Sequence, residues 1–171
     1  MIEFLQNNPQ VVVTLIIGVF TLIISYWYNR NNLIINHQKM EKELFSEYNK
    51  KYDNLNDSLS LLSISMTIEE LKSTPSKIEN KMLYHVVIDY FNLCAEQFYW
   101  NSKDRISKEI WNAWNAGMMN YYDTYPVIRE LWEVETKGNG FKSFYLSQDQ
   151  TIFKKNNYYN QKMLQDNICD L

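Results

Sequence analysis

Between Glu3 and Arg30 no side chain carries a formal charge, and that stretch constrains the chain more than any other feature. Residues 9–28, PQVVVTLIIGVFTLIISYWY, rise about 30 Å as a helix, the thickness of a bilayer's hydrocarbon core. Each Val, Leu, Ile and Phe in such a helix favours insertion by roughly 0.3–0.6 kcal/mol. Thr14, Thr21 and Ser25 can return their hydroxyls to helix carbonyls, which keeps their polar cost small. Tyr26, Trp27 and Tyr28 close the run as an interfacial aromatic belt, and Arg30 is placed to snorkel to phosphates. A cleaved signal peptide is the competing reading. It wants a basic leading region and small residues before the cleavage site. Here the leading region holds Glu3 and no Lys or Arg, and the run ends on large aromatics, so an uncleaved single-pass anchor is expected.

All 17 Lys and Arg residues follow the apolar run, led by Arg30, Lys39 and Lys42. The positive-inside rule then puts the short tail, residues 1–8, outside and the C-terminal domain in the cytoplasm, as for a bacterial inner-membrane protein. With only 4 Gly and 3 Pro, the tight turns of an all-β fold are poorly supplied. Aromatics make up 15% of the chain, too many for a disordered tail. The net charge of −3 gives no clustered basic face for nucleic acid, so none is expected as a partner. Cys94 and Cys169 lie far apart with no CxxC pairing and read as reduced thiols.

The expected fold class is all-α: one transmembrane helix, an amphipathic juxtamembrane helix over residues 29–66, and a small helical bundle over residues 67–171. Phe45, Tyr48, Tyr52, Leu55, Leu59, Leu62 and Met66 recur at alternating steps of three and four. That is a narrow seam, either of coiled-coil type or packed on the chain's own bundle. Thr67 with Glu70, Ser76 with Glu79 and Ser147 with Gln150 each have the spacing of a capping box. They predict helix starts after Ser73-Thr74-Pro75 and after Ser147, besides a short helix at Thr67. The helix opened by Ser76 is expected to reach Trp100 with Leu83, Val87, Tyr90, Cys94 and Phe98 inward. Ser107 opens a helix burying Ile110, Trp111, Trp114, Met118, Tyr121 and Tyr122. Pro126 suits the first turn of the next, which ends at Gly138-Asn139-Gly140. Ile152, Tyr159 and Met163 line the last helix.

Few residues offer chemistry. The chain has only His37 and His85, no HExxH, and Met82 where a bundle di-iron site needs Glu, so no metal or other cofactor is expected. His85, Asp89, Asn92 and Glu96 form one polar stripe on an otherwise apolar helix. His85 and Asp89 could act as an acid/base pair with Glu96 as a second carboxylate, or the stripe is simply the solvent face. Trp111, Trp114, Tyr121 and Tyr122 could stack a nucleotide base or could be core. No Gly-rich phosphate loop accompanies them. Cys94 lies on an apolar face, where an inert thiol is expected. In the apolar run, Thr14, Gly18, Thr21 and Ser25 make a stripe of small residues that lets membrane helices associate.

The segment DYFNLCAEQFYWNSKDRISKEIWNAW, residues 89–114, resembles an uncharacterised bacterial family of small single-pass membrane proteins with a cytoplasmic helical domain. The aromatic-aromatic-polar step Tyr90-Phe91-Asn92 carries the likeness, with Asn92 standing where that family's pattern has an acidic residue. The resemblance implies architecture and no reaction. The functional expectation is a membrane-tethered module, not an enzyme, that recruits or senses a cytoplasmic protein. Its contacts would be the lipid bilayer, and a second copy through the span or through the seam from Phe45 to Met66. The alternatives are a membrane effector of stress or phage defence acting through oligomerised spans, and an enzyme using His85, Asp89 and Glu96.

Overall fold

The computed structural model describes residues 8–148 and 150–153. Among them every regular element is helical: α1 (Pro9–Leu59), α2 (Ile68–Ser73), α3 (Leu83–Ser102), α4 (Lys108–Thr124), α5 (Pro126–Thr136) and a 3-10 turn (Gly140–Phe144). The chain divides into two compact units, Met1–Lys42 and Glu43–Leu171.

In the first unit α1 is long and apolar enough to cross a membrane. No part of its most apolar window is buried inside the protein, and Leu22 stands 72% exposed. Thr14 donates its hydroxyl to the Gln10 carbonyl at 2.9 Å and Thr21 to that of Ile17 at 2.8 Å. Both polar groups are thus answered within the helix itself. Residues 29–32 stay helical in spite of three Asn, because the hydrogen-bond ladder outweighs a modest propensity loss.

The second unit takes the last turns of α1 into its core. Tyr48, Leu55 and Leu59 are buried, as is Leu62 just beyond the helix, so most of the seam packs on the chain's own bundle. The helix stops at Leu59, short of Met66. Ser60 turns its hydroxyl onto the Asp57 carbonyl at 2.6 Å, and the amides of Leu61 and Leu62 tighten to i−3 bonds. Ser58 accepts the Lys77 amide at 3.1 Å and pins this end to the segment before α3.

Thr67 and Glu70 form the predicted capping box, each side chain bonded to the other's backbone amide. The box predicted at Ser76 does not form. Ser76 instead accepts the Ile78 amide, its own amide bonds the Lys81 carbonyl, and Pro75 bridges Met82 across a turn with Asn80 at φ 59°. Local hydroxyl bonds and a left-handed Asn outcompete the helix, which starts only at Leu83.

α3 is the centre of the unit, with Val86, Val87, Phe91 and Ala95 fully buried. Phe91 meets Trp132 at 5.1 Å, Phe153 at 6.1 Å and Phe144 at 6.4 Å between ring centroids, all edge-on. α4 begins after Ser107 as expected but buries less than predicted. Only Asn115 and Met118 are fully enclosed, and Ile110, Trp111, Trp114, Tyr121 and Tyr122 are half-buried. Arg129 caps its end, donating to the carbonyls of Tyr122 at 2.6 Å and Asp123 at 2.9 Å. α5 starts on Pro126 and ends before Gly138, at φ 64°. A Cβ on Gly140 would collide with the Glu135 carbonyl, so this turn admits glycine alone. After Ser147 the described residues are not helical, although Gln150 does accept the Ser147 amide at 2.9 Å, half of a capping box. Ile152 is buried there in non-helical backbone, while Tyr159 and Met163 lie outside the described residues, as does Cys169.

Candidate functional site

The polar stripe of α3 lines one wall of an open cleft of about 310 Å³. Asp89, Asn92 and Glu96 come from α3, Lys51 and Asn54 from α1, and Lys81 from the turn before α3. Lys51 holds Glu96 at 2.8 Å and Glu47 at 2.9 Å, and Lys81 holds Asp89. Partial burial works to lower the Lys51 pKa, but its hydrogen bonds to Glu96 and Glu47 outweigh that and raise it well above the usual lysine range. Both carboxylates are therefore committed to ammonium partners, and neither faces a base. His85 is exposed and does not enter the cleft; its ring lies edge-on to Tyr84 at 5.4 Å, and no hydrogen bond joins it to Asp89 among the described residues. The stripe thus divides into two ion pairs and an isolated imidazole, an arrangement suited to holding helices together and poor for moving a proton. Among the described residues no group of three His, Cys, Asp or Glu side chains gathers to hold a metal ion.

A second cavity, of about 260 Å³, lies between α1, α3 and α4. Trp114 is the one member of the predicted aromatic cluster that lines it, beside Tyr52 and Tyr90. Trp114 is held on three sides. It stacks on Phe45 at 6.1 Å and 11°, meets the Tyr48 ring edge-on at 5.6 Å, and donates its indole N–H to the Asn49 side chain at 3.3 Å. Trp111 packs instead against Phe98 at 6.0 Å, and Tyr122 stacks on Phe153 at 4.4 Å. Tyr121 borders the cavity indirectly, sharing a hydroxyl contact of 3.3 Å with Tyr52.

Among the described residues the buried polar side chains are Ser58, Gln97 and Asn115. Ser58 is satisfied by Lys77, whereas Gln97 and Asn115 have no side-chain hydrogen bond among the described residues. Gln97 lines the second cavity and Asn115 does not. Sequence reasoning passed over Gln97, yet it continues the inward register Leu83, Val87, Tyr90, Cys94 by a step of three. A carboxamide at a core position is the signal that was available.

Cys94, one turn below Gln97 on α3, is wholly enclosed, and burial pushes its thiol up to about 12 against a slight opposing pull from Tyr90. Such a thiol is no nucleophile. In the first unit, Thr14, Gly18, Thr21 and Ser25 all lie on the exposed part of α1. No protein family, curated protein or solved structure matches this sequence.

Proposed function

We propose that the chain is a membrane-tethered helical module in which residues 9–28 anchor a cytoplasmic domain that recruits or senses a partner without catalysing a reaction. One observation carries the tether. From Val13 to Ile24 the large aliphatic and aromatic side chains stand at least half exposed on a helix that none of the described residues covers, Ile24 at 63%. In water that surface is costly, whereas lipid covers it at no cost and the helix already satisfies its own backbone. The excess of Lys and Arg after the run supports the cytoplasmic side for the second unit. The binding role, in place of an enzymatic one, is supported by the pairing of Asp89 and Glu96 with lysines, which leaves His85 without a carboxylate partner to work with.

The test is fractionation with a topology reporter in a bacterial host. The full chain should resist alkaline extraction from membranes, and deletion of residues 9–28 should release it. A reporter active only in the cytoplasm should work when fused after Leu171. Extraction of the full chain by alkali would overturn the tether, and activity of a reporter that works only outside the cytoplasm would overturn the orientation.

A further inference from the structure

The cavity between α1, α3 and α4 has properties that ordinary packing leaves unexplained. Gln97 is 5% exposed and its carboxamide bonds no described residue, yet among the described residues no side-chain polar atom is both buried and without a hydrogen-bond partner. The amide therefore keeps some contact with solvent, and Gln97 is one of the residues that line the cavity. Gln97 and Asn49 set two carboxamides in a lining that is mostly aromatic and aliphatic, and Asn49 is already engaged by Trp114, which leaves the Gln97 amide open to a ligand. A carboxamide presents an acceptor and two donors in one plane, so its natural complement is a flat edge carrying a donor beside an acceptor.

The walls specify the rest of the ligand. Trp114, Tyr52 and Tyr90 supply aromatic surface, and Leu93 and Met118 supply aliphatic surface. Trp114 is already fixed by Phe45, Tyr48 and Asn49, so little side-chain freedom remains to be lost on binding. No Lys, Arg, Asp or Glu lines the space, which argues against a phosphate or other charged group inside it. At about 260 Å³ it falls just below the range of roughly 300–1,000 Å³ usual for ligand pockets, so it suits a single ring system. Gly117 borders the space from an exposed position, and a Cβ there would meet no atom within 4 Å.

We propose that this cavity binds a small uncharged heteroaromatic ring of nucleobase type, stacked beside Trp114 and read at its donor–acceptor edge by Gln97. All its lining residues belong to the second unit, so the inference stands whether or not residues 9–28 lie in a bilayer.

The experiment is equilibrium dialysis of the full chain in detergent micelles against 1-methyluracil and 9-methyladenine. Each presents a donor beside an acceptor, and 1,3-dimethyluracil, which has no donor, serves as the control. At least one of the two probes should bind saturably at one per chain. The dimethyl ring should bind at least about tenfold more weakly than 1-methyluracil where the latter binds, and the 5′-phosphate of the bound nucleoside should gain nothing. Gln97→Leu should lower affinity for the bound probe about tenfold or more. Gly117→Leu tests the same space without touching a polar group. Open space and the poor helix propensity of glycine mean its melting temperature should hold or rise while binding falls by a similar factor. Saturable binding of neither probe would overturn the proposal. So would binding that survives Gly117→Leu unchanged in a folded chain.

Discussion

Phe20 and Phe91 are the same side chain in opposite settings. Phe20 is 60% exposed on α1 in the first unit, and Phe91 is completely enclosed on α3 in the second. Both sit on long apolar helices, so helix formation does not separate them. α1 is largely apolar over residues 9–28 and none of the described residues covers that stretch, whereas α3 carries a polar stripe on one side and is covered on the others by α2, α4 and the 3-10 turn, with Trp132 and Phe153 against Phe91. A polar stripe records that one face meets water and the rest meet protein. Its absence over residues 9–28 is a stronger statement about surroundings than the hydropathy of any single residue.

The largest effect should come from removing the two phenyl rings in turn. Phe91→Ala empties a site packed by the rings of Trp132, Phe144 and Phe153 and should cost the second unit about 3–5 kcal/mol. Phe20→Ala should leave the unfolding of that unit unmoved. Denaturant titration of the full chain in micelles, followed by tryptophan fluorescence, measures both. Equal destabilisation by the two variants would break the contrast between the regions.

Alkaline titration sharpens the contrast by testing enclosure itself. Burial raises Cys94 from its ordinary 9.0 to about 12, and raises Tyr90, Tyr48 and Tyr121 above their ordinary 10.0. The folded chain therefore keeps protons that the unfolded chain releases. Stability is complete below pH 9 and falls between pH 9 and 12, each group contributing up to roughly 1.4 kcal/mol per pH unit. In Cys94→Ala the decline should begin near pH 10, with the tyrosines alone. Melting temperatures from pH 7 to pH 11 would expose the error if they stayed flat.

The smallest effect lies at the rim. Thr67 caps a helix of six residues whose one buried side chain is Leu71. Thr67→Ala should cost about 1 kcal/mol. A loss as large as that of Phe91→Ala would mean that α2 holds the core together, and the second unit would then be less graded from centre to rim than its burial implies.

Much of this architecture was legible because it depends on neighbours a few residues apart. The start of α4 after Ser107, Pro126 at the head of α5 and the Thr67 box are local, and they stand where spacing put them. Ser76 misled because the capping pattern is only a competitor among local bonds, and the turn through Asn80 won. The site was less legible. Nothing near Glu96 in sequence announces Lys51, 45 residues away, although that pair turns a possible catalytic stripe into a clasp. Trp114 was read as core from its period alone, but its partners Phe45 and Asn49 lie on the rim of the unit and leave it half open. Burial depends on which elements meet, and periodicity reports only that some face will be covered.

The complete enclosure of Cys94 makes it a built-in clock for the motions of the second unit. A thiol-specific alkylating agent reaches Cys94 only while the packing around α3 is transiently open. The rate of its labelling, in a chain whose Cys169 is replaced by Ser, is therefore the opening equilibrium multiplied by the intrinsic rate of a free thiol. Labelling as slow as global unfolding would mean that α3 opens only when the whole unit does. Faster labelling would measure a partial opening of the helices around it. The residue that chemistry leaves idle is thus the one that reports how often the core breathes.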